Sequence, residues 1–312
     1  MSKVIVNPTA GQGNCGRIWP GIESRLRAAM GEIDVVFTAG PGEETALARQ
    51  ALADGCTHFI AVGGDGTMNG VLNAIMGPGA PATGAPANND VRLSVIPAGT
   101  ANELARAIGV HGDLDGAVSG IAAGREQRFD LLQADCFGLM GAAHRHYGVL
   151  AVSWGGAAEI VYRTNNSRFL KKLGGRFSYY ANTLLVTLSY PNRACDLTID
   201  GEQTKNVMHY SGMICNTEML GGGMRLAPGA DHADGLADFL FFKDIARREI
   251  ILQKPSWLFE GHHIEHPKVD FSRGRDFAVT GSPEALVDAD GETIGRLPLT
   301  VKTLKQVLPV IG

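Results

Sequence analysis

The segment that decides the fold is residues 58–76, which read HFIAVGGDGTMNGVLNAIM. The apolar residues 59–62 predict a buried strand, and a glycine turn follows at residues 63–67. Five apolar residues at helical spacing then predict a buried helix face: Met68, Val71, Leu72, Ile75 and Met76. A strand, a glycine turn and a helix together aim backbone N–H groups and a helix N-terminus at a phosphate. The segment therefore predicts a phosphate-binding turn that contains one carboxylate, Asp65.

The composition of the chain narrows the class of protein. A length of 312 residues predicts a sizeable core and two domains. The net charge of −4 argues against a nucleic-acid partner. Five scattered cysteines without CxxC spacing predict reduced thiols and no zinc site in a cytoplasmic protein. The first residues do not read as a signal peptide, and no apolar run approaches a membrane span, so we expect a membrane substrate to be reached from the surface.

The chain changes character near residue 125. Strands alternate with helices before it, which predicts an α/β N-terminal domain over residues 1–125 with a doubly wound, mostly parallel sheet. One of its helices is predicted over residues 20–30, with Pro20 in the first turn. Strands dominate residues 126–296, which predicts a β-rich, antiparallel C-terminal domain of the sandwich or barrel type. Whether residues 297–312 return to complete the first domain is left open.

A second glycine turn follows the next predicted strand, where residues 97–106 read PAGTANELAR. Ligands of an open parallel sheet bind outside the carboxyl ends of its strands, so both turns are expected to face one crevice. Thr100 or Asn102, taken alone, is equally typical of a helix cap. The Walker A pattern GxxxxGK[ST] is absent, and no lysine lies between Lys3 and Lys171. The groups left to meet the phosphate charge are therefore backbone N–H groups, magnesium and arginine.

The two turns together resemble the diacylglycerol kinase catalytic domain superfamily, which includes bacterial lipid kinases, sphingosine kinases and ceramide kinases. The resemblance continues at residues 228–236 (PGADHADGL) and at Asp290-Gly291-Glu292, so it spans nearly the whole chain. It implies a lipid kinase that uses Mg²⁺ and transfers the γ-phosphate of ATP to a lipid hydroxyl in an interdomain cleft. Diacylglycerol is the first expectation, and a sphingoid base, ceramide or phosphatidylglycerol remains open.

The resemblance also implies roles for individual residues. The implied nucleotide-binding residues are Asn7, Thr38, Gly63, Gly64, Asp65, Gly66, Thr67, Gly99, Thr100 and Asn102. Asp65 would help to organise magnesium, and Asp290 or Glu292 would accept the proton of the lipid hydroxyl. From spacing alone, Asp290-Gly291 is more typical of a hairpin turn. A second, structural magnesium site is implied at Asp231, Asp234 and Leu236, where an ordinary acidic loop is the alternative.

Residues 160–195 contain six arginine and lysine residues and no aspartate or glutamate. Aromatic residues are interleaved with them, and this composition suits an anionic lipid surface. We therefore expect a peripheral protein on the inner membrane surface, whose partner is a lipid substrate. The residues expected to contact the anionic membrane are Arg163, Arg168, Lys171, Lys172 and Arg176. A solvated helix face is the alternative interpretation, and a homodimer is left open.

Two features keep other functions open. The GGDG turn also occurs in NAD kinases and phosphofructokinases, so an NAD kinase-like enzyme for a soluble substrate is one alternative. A module that binds nucleotide or lipid without catalysis is another. The sequence also departs from the family pattern at residues 149–158, where Trp154 stands and the usual asparagine is missing. This departure leaves the acceptor pocket, and with it the lipid, undetermined.

Overall fold

The chain divides into two compact units. The computed structural model describes residues 2–77, 91–167, 175–251 and 256–312, without the side chains of residues 175 and 176. Unit 1 comprises Met1–Leu131 together with Leu304–Gly312, and unit 2 comprises Leu132–Thr303.

Unit 1 contains a parallel sheet. Its strands are β1 (Ser2–Val6), β2 (Asp34–Phe37), β3 (His58–Gly63), β4 (Arg92–Pro97) and the end of a long strand whose last residues, Val310 and Ile311, pair with β4. The spatial order is β2-β1-β3-β4 followed by that terminal strand, and every one of these pairs is parallel. The strand order reverses between β1 and β3, which is the topological switch point of a doubly wound sheet. The predicted N-terminal fold is confirmed.

The helices of unit 1 pack in two groups. They are α1 (Asn14–Met30), α2 (Glu43–Ala53), α3 (Asp65–Met76), α4 (Glu103–Ala107) and α5 (Leu114–Ala123). Helix α1 packs against α5, and α2 packs against α3. The apolar stripe predicted for α3 is buried along its whole length. Helix α1 begins earlier than predicted and holds Pro20 in its interior, because the N–H groups of Cys15 and Gly16 already bond to the carbonyls of Ala10 and Pro8.

Unit 2 contains an antiparallel sheet that closes on itself. The strands of this sheet are β5 (Glu126–Phe137), β6 (Ala143–Gly148), β7 (Ala151–Gly155), β8 (Arg193–Ile199), β9 (Glu202–Cys215), β12 (Ala237–Lys243), β13 (Val269–Gly274), β14 (Asp276–Gly281), β15 (Leu286–Ala289) and β16 (Glu292–Ile311), while β10 (Met219–Leu220) and β11 (Met224–Arg225) form a separate hairpin. Six of these pair in a ring, in the order β7, β15, β16, β14, β8 and β9, and β9 pairs again with β7. The expected β-rich domain is therefore barrel-like.

The core of unit 2 contains a group of aromatic residues around Trp154. Trp154 is fully buried, lies beside Phe239 and Phe241, and donates its indole N–H to His209 Nε2 at 3.1 Å. A Cβ at Gly212 would lie 2.1 Å from the Trp154 ring, so the glycine on β9 makes room for the indole. Trp154 is therefore a core residue, and the departure from the family pattern at this position is absorbed by packing.

Short helices accompany the strands of unit 2. They are α6 (Gly156–Asn166), α7 (Gly175–Ser189), α8 (Arg247–Ile251), α9 (Ser256–Phe259) and a 3-10 turn (His262–Glu265). The sequence predicts one helix among the strands of this domain, over about residues 179–190, and α7 overlaps it, whereas α6 was not predicted. None of the helices in the described ranges has the length and apolar character needed to span a membrane.

The chain crosses between the two units twice. It leaves unit 1 after Leu131 and returns to it at Leu304, whereas the sequence predicted a first boundary at residue 125 and left open whether residues 297–312 return. Both crossings fall inside continuous strands, β5 and β16. Because no turn residue marks either crossing, the sequence pattern could not locate them.

All five cysteines are free thiols, and four of them are buried. Cys15 lies in unit 1, and burial raises its pKa to about 11. In unit 2, burial raises the pKa of Cys136 to about 11 and that of Cys195 to about 12. Burial also raises the pKa of the Cys215 thiol.

Candidate functional site

The two glycine turns of unit 1 are in direct contact. The Ala98 N–H donates to the Gly63 carbonyl at 2.8 Å, which continues the pairing of β3 and β4 to the edge of the sheet. A Cβ at Gly99 would lie 2.3 Å from the Gly64 Cα, so this close approach requires glycine. The turns at residues 63–67 and 97–102 therefore form one surface at the carboxyl ends of these strands.

The loop after β1 joins this surface. Asn7 Nδ2 donates to Thr67 Oγ1 at 3.1 Å, while Asn7 Oδ1 accepts from the backbone N–H and the hydroxyl of Thr9. Thr38, after β2, is buried, and its N–H donates to the Val6 carbonyl at 2.9 Å. The residues predicted for the nucleotide thus follow four neighbouring strands. They gather at the edge where the switch point between β1 and β3 lies.

Helix α3 begins inside the first turn. It starts at Asp65, and Gly64 before it is extended and has no side chain to cap the helix. Gly63 must remain small, because a Cβ there would lie 2.5 Å from Thr67 Oγ1. The first N–H groups of a helix have no intrahelical partner and carry the positive end of its dipole. This end of α3 is thus suited to an anion such as a phosphate.

Asp65 and Asn102 hold the second turn. Asp65 Oδ1 accepts from the N–H groups of Glu103 and Leu104 at 2.8 and 3.4 Å, so it caps helix α4. Burial raises the pKa of Asp65, and these N–H bonds oppose that shift. Asn102 has a positive φ of 53° and closes its own turn, with Oδ1 accepting from the Gly99 N–H at 2.9 Å. Thr100 lies in this second turn and is exposed.

In unit 2, Asp290 and Gly291 form the two-residue turn between β15 and β16. Both have positive φ, 50° and 87°, as a type I′ hairpin turn requires. The Asp290 carboxylate is buried and accepts three backbone N–H bonds, from Val149 at 2.7 Å, Leu150 at 2.8 Å and Ala151 at 3.0 Å. The hairpin expected from spacing is therefore present, and its aspartate fastens the turn between β6 and β7.

Glu292 differs from Asp290 in its exposure. It is the first residue of β16, stands opposite Ala289 in the hairpin, and is exposed. The carbonyl of Gly291 beside it accepts from Asn165 Nδ2 of α6 at 2.8 Å, which fixes the hairpin to that helix. Of the two acids that the sequence proposed as alternatives, Glu292 has the accessible carboxylate, whereas the oxygens of Asp290 are occupied by backbone N–H groups.

Asp288 is a third carboxyl group of this hairpin, and sequence reasoning missed it. It is 6% exposed, and Ser153 Oγ donates to its Oδ2 at 3.0 Å. Burial raises the pKa of Asp288 well above its usual range, and the charges of Asp290 and Glu292 act in the same direction. The available signal was an aspartate inside an otherwise apolar strand, at residues 286–289. An aspartate is almost never fully buried unless it is paired.

The aspartates expected to bind a structural magnesium ion are bonded to other groups in this structure. Asp234 Oδ2 is bound by the guanidinium of Arg273, and its Oδ1 accepts from the Leu236 N–H at 2.9 Å. Asp231 Oδ1 accepts from the Ala233 N–H at 3.0 Å. Arg273 also reaches Asp238 at 3.3 Å and so supplies positive charge to this loop. No cluster of three metal-ligating side chains occurs within the described ranges.

The expected membrane contacts lie mostly beyond the described residues. Arg168, Lys171 and Lys172 fall outside them, as does the side chain of Arg176. Arg163 lies on α6, where its Nε donates to Glu159 Oε1 at 2.7 Å. Its charge is therefore partly balanced within the helix.

The chain matches two family models. Residues 2–134 match the diacylglycerol kinase catalytic domain, and residues 150–312 match the YegS C-terminal NAD kinase beta sandwich-like domain. The first model contains the two glycine turns, and the second contains the hairpin with Asp290 and Glu292.

Named relatives agree with these models along the whole chain. A diacylglycerol kinase of Staphylococcus aureus (strain MRSA252) is 27% identical over 317 residues, which cover 100% of this chain and 92% of the relative. A diacylglycerol kinase of Staphylococcus haemolyticus is 28% identical over 315 residues, covering 99% and 87%. A crystal structure of a diacylglycerol kinase from Bacillus anthracis has a TM-score of 0.69 at 19% identity, covers 99% and 96%, and bears on the fold alone.

Proposed function

Because this chain belongs to the family that joins a diacylglycerol kinase catalytic domain to a YegS C-terminal NAD kinase beta sandwich-like domain, we propose that it is a lipid kinase. It transfers the γ-phosphate of ATP to a lipid hydroxyl, with diacylglycerol as the first candidate. The observation that carries the proposal is the contact between Gly64 and Gly99, which joins two glycine turns at the carboxyl edge of the sheet.

In this proposal unit 1 receives the nucleotide. The phosphates lie against the turn at residues 63–67 and the N-terminus of α3, with Asn7, Thr38 and Thr100 around them. Asp65 is the residue that would hold the magnesium ion of the nucleotide, which when bound would neutralise part of the phosphate charge. Asp65 also positions the second turn, through its bonds to the N-terminus of α4.

The acceptor hydroxyl loses its proton to a carboxylate of unit 2. Phosphoryl transfer depends mainly on positioning and charge stabilisation, with one group to accept this proton. We assign that role to Glu292, because its carboxylate is exposed whereas that of Asp290 is buried and accepts three N–H bonds. Asp290 is then a positioning residue, which holds the hairpin and the turn before β7.

Because the proposed acceptor is a lipid, the enzyme has to work at the membrane surface. The six basic residues at positions 160–195, a stretch that contains no aspartate or glutamate, support peripheral binding to an anionic inner leaflet. The enzyme would then take its substrate from the bilayer without crossing it.

The test is an acceptor panel. Purified protein is incubated with γ-labelled ATP and magnesium, and with diacylglycerol, a sphingoid base, ceramide, phosphatidylglycerol or NAD as acceptor. We expect label on diacylglycerol, near-complete loss in Glu292→Gln, and no change in the matched surface variant Glu202→Gln. Label on NAD alone would establish the soluble-substrate alternative. Tight nucleotide binding without transfer to any acceptor would establish a non-catalytic module.

A further inference from the structure

Helix α7 exposes its apolar side chains. Five large apolar residues on it are about half exposed, with values from 50% to 56%. They are Phe177, Tyr180, Leu184, Leu185 and Leu188. At 100° per residue, four of them form a narrow stripe and Leu185 widens it, so one continuous face of the helix is apolar and exposed.

The opposite face of α7 is buried and largely polar. Ser178, Asn182 and Thr187 are each less than 5% exposed. Asn182 Nδ2 donates to the Ser178 carbonyl at 2.8 Å, and the Thr187 hydroxyl lies 3.4 Å from the Tyr210 hydroxyl. Helices of water-soluble proteins normally bury the apolar face and expose the polar one. Helix α7 buries these three polar side chains together with Val186 and exposes its apolar stripe, so its outer face is suited to an apolar environment.

Basic residues border this face. Helix α8 packs beside α7, leaves Ile251 43% exposed, and exposes Arg247 and Arg248, whereas the one acid of this helix, Glu249, pairs with Lys268. No aspartate or glutamate occurs in α7 or anywhere in residues 160–195, although the whole chain carries a net charge of −4. An apolar stripe with a basic border matches an anionic bilayer in both polarity and charge. A second copy of this net-negative chain matches the apolar stripe alone.

We propose that the outer face of α7, with Ile251, Arg247 and Arg248 of α8, is the surface by which the protein docks on an anionic bilayer. The helix lies in the plane of the interface. Its leucines and Phe177 enter the acyl region, while the arginines contact the headgroups. This inference rests on the proposed function for its purpose, because a lipid kinase must reach a substrate inside a bilayer. Binding and turnover are therefore measured separately.

The first experiment measures binding. The protein is sedimented with phosphatidylcholine vesicles that contain or lack phosphatidylglycerol, and three double variants are compared with the unmodified chain. Leu184→Gln/Leu188→Gln removes the stripe, Arg247→Gln/Arg248→Gln removes the basic border, and Leu139→Gln/Met140→Gln is a matched control at an exposed turn. We expect the first to weaken binding by about tenfold or more. The second should lose only the preference for anionic vesicles, and the control should bind normally.

The second experiment measures turnover and assembly. With diacylglycerol dispersed in detergent, Leu184→Gln/Leu188→Gln should retain normal turnover, whereas with vesicles its turnover should fall in step with its binding. Thermal unfolding checks that the variant is folded. We expect it to fold, because both substituted leucines are about half exposed. Normal vesicle binding by this variant would overturn the proposal. A dimer that the variant converts to a monomer would instead assign the face to a second copy. Vesicle binding through α7 without any lipid phosphorylation would refute the proposed function alone.

Discussion

Asp65 in unit 1 and Asp290 in unit 2 both lie in motif turns, and both accept backbone N–H bonds from a distant segment. They differ in how the carboxylate is used. Asp65 is partly exposed, and a single oxygen, Oδ1, receives both N–H groups of α4. Asp290 is buried, and its two oxygens hold three N–H groups. One carboxylate oxygen can thus anchor a distant segment and leave the charge for chemistry, as in Asp65, or the anchoring can occupy both oxygens, as in Asp290.

The largest effect is expected from Asp65→Asn. The amide oxygen can still accept the N–H groups of α4, so the free energy of unfolding should fall by less than about 1 kcal/mol. Loss of the charge should lower kcat by about 10³-fold, because magnesium and phosphate positioning depend on it. Kinetics with labelled ATP and urea unfolding measure the two effects, with Asp54→Asn as an exposed control. An active Asp65→Asn enzyme would remove Asp65 from the chemistry.

Glu292→Gln should have the next largest effect. Its carboxylate is exposed, so the fold should be unchanged, whereas loss of the proton acceptor should lower kcat by about 10²-fold or more. The measurement is turnover at saturating lipid together with nucleotide binding, which we expect to be normal. If Glu292→Gln remains active while Asp290→Asn is folded and inactive, the assignment of the base is reversed.

Asp290→Asn should act on stability. An amide nitrogen in place of one oxygen would face a buried backbone N–H, such as that of Val149, and leave it without an acceptor. The expected loss is about 1–3 kcal/mol in the free energy of unfolding, measured with urea. This contrasts with the small loss expected for Asp65→Asn. Equal losses in the two variants would contradict the difference between the two carboxylates.

Asp288→Asn should give the smallest and most pH-dependent effect. The pKa of Asp288 is raised in the folded state, so protonated Asp288 favours folding. This stabilisation is complete below the usual aspartate pKa of about 3.9 and is lost as the pH rises towards the raised value, by up to about 1.4 kcal/mol per pH unit. Asparagine cannot ionise, so the stability of the variant relative to the unmodified protein should increase with pH. Urea unfolding between acidic and neutral pH measures this slope, and parallel curves would contradict it.

Local patterns were sufficient for much of unit 1. Short segments of sequence were enough to predict the apolar stripe of α3 and the two glycine turns. Parallel strands then bring their carboxyl ends to one edge of the sheet. The contact between Gly64 and Gly99 follows from that rule and from the two glycines themselves.

The fold of unit 2 depends on contacts that cannot be predicted from any short segment of the sequence. The ring of strands closes through pairs such as β7 with β15, whose residues are distant in sequence. The ion pair of Arg273 with Asp234 and the N–H bonds of Asp290 also join residues that are distant in sequence. Helix α6 begins at Gly156, after a glycine of positive φ, where composition favours a turn. The sequence could not show that α7 exposes its apolar stripe, because a periodic pattern does not indicate which face of a helix is buried.

The buried thiols have a consequence for handling and for unfolding. Thiolate is the reactive form, and burial suppresses it at Cys15 in unit 1 and at Cys136, Cys195 and Cys215 in unit 2. In a Cys56→Ser variant, each of the four buried cysteines would therefore be alkylated only after the unit that contains it opens by unfolding. Peptide mass analysis then distinguishes the units: modification of Cys15 reports the opening of unit 1, and modification of the other three reports that of unit 2. Native cysteines thus allow the two opening rates to be compared without an added probe.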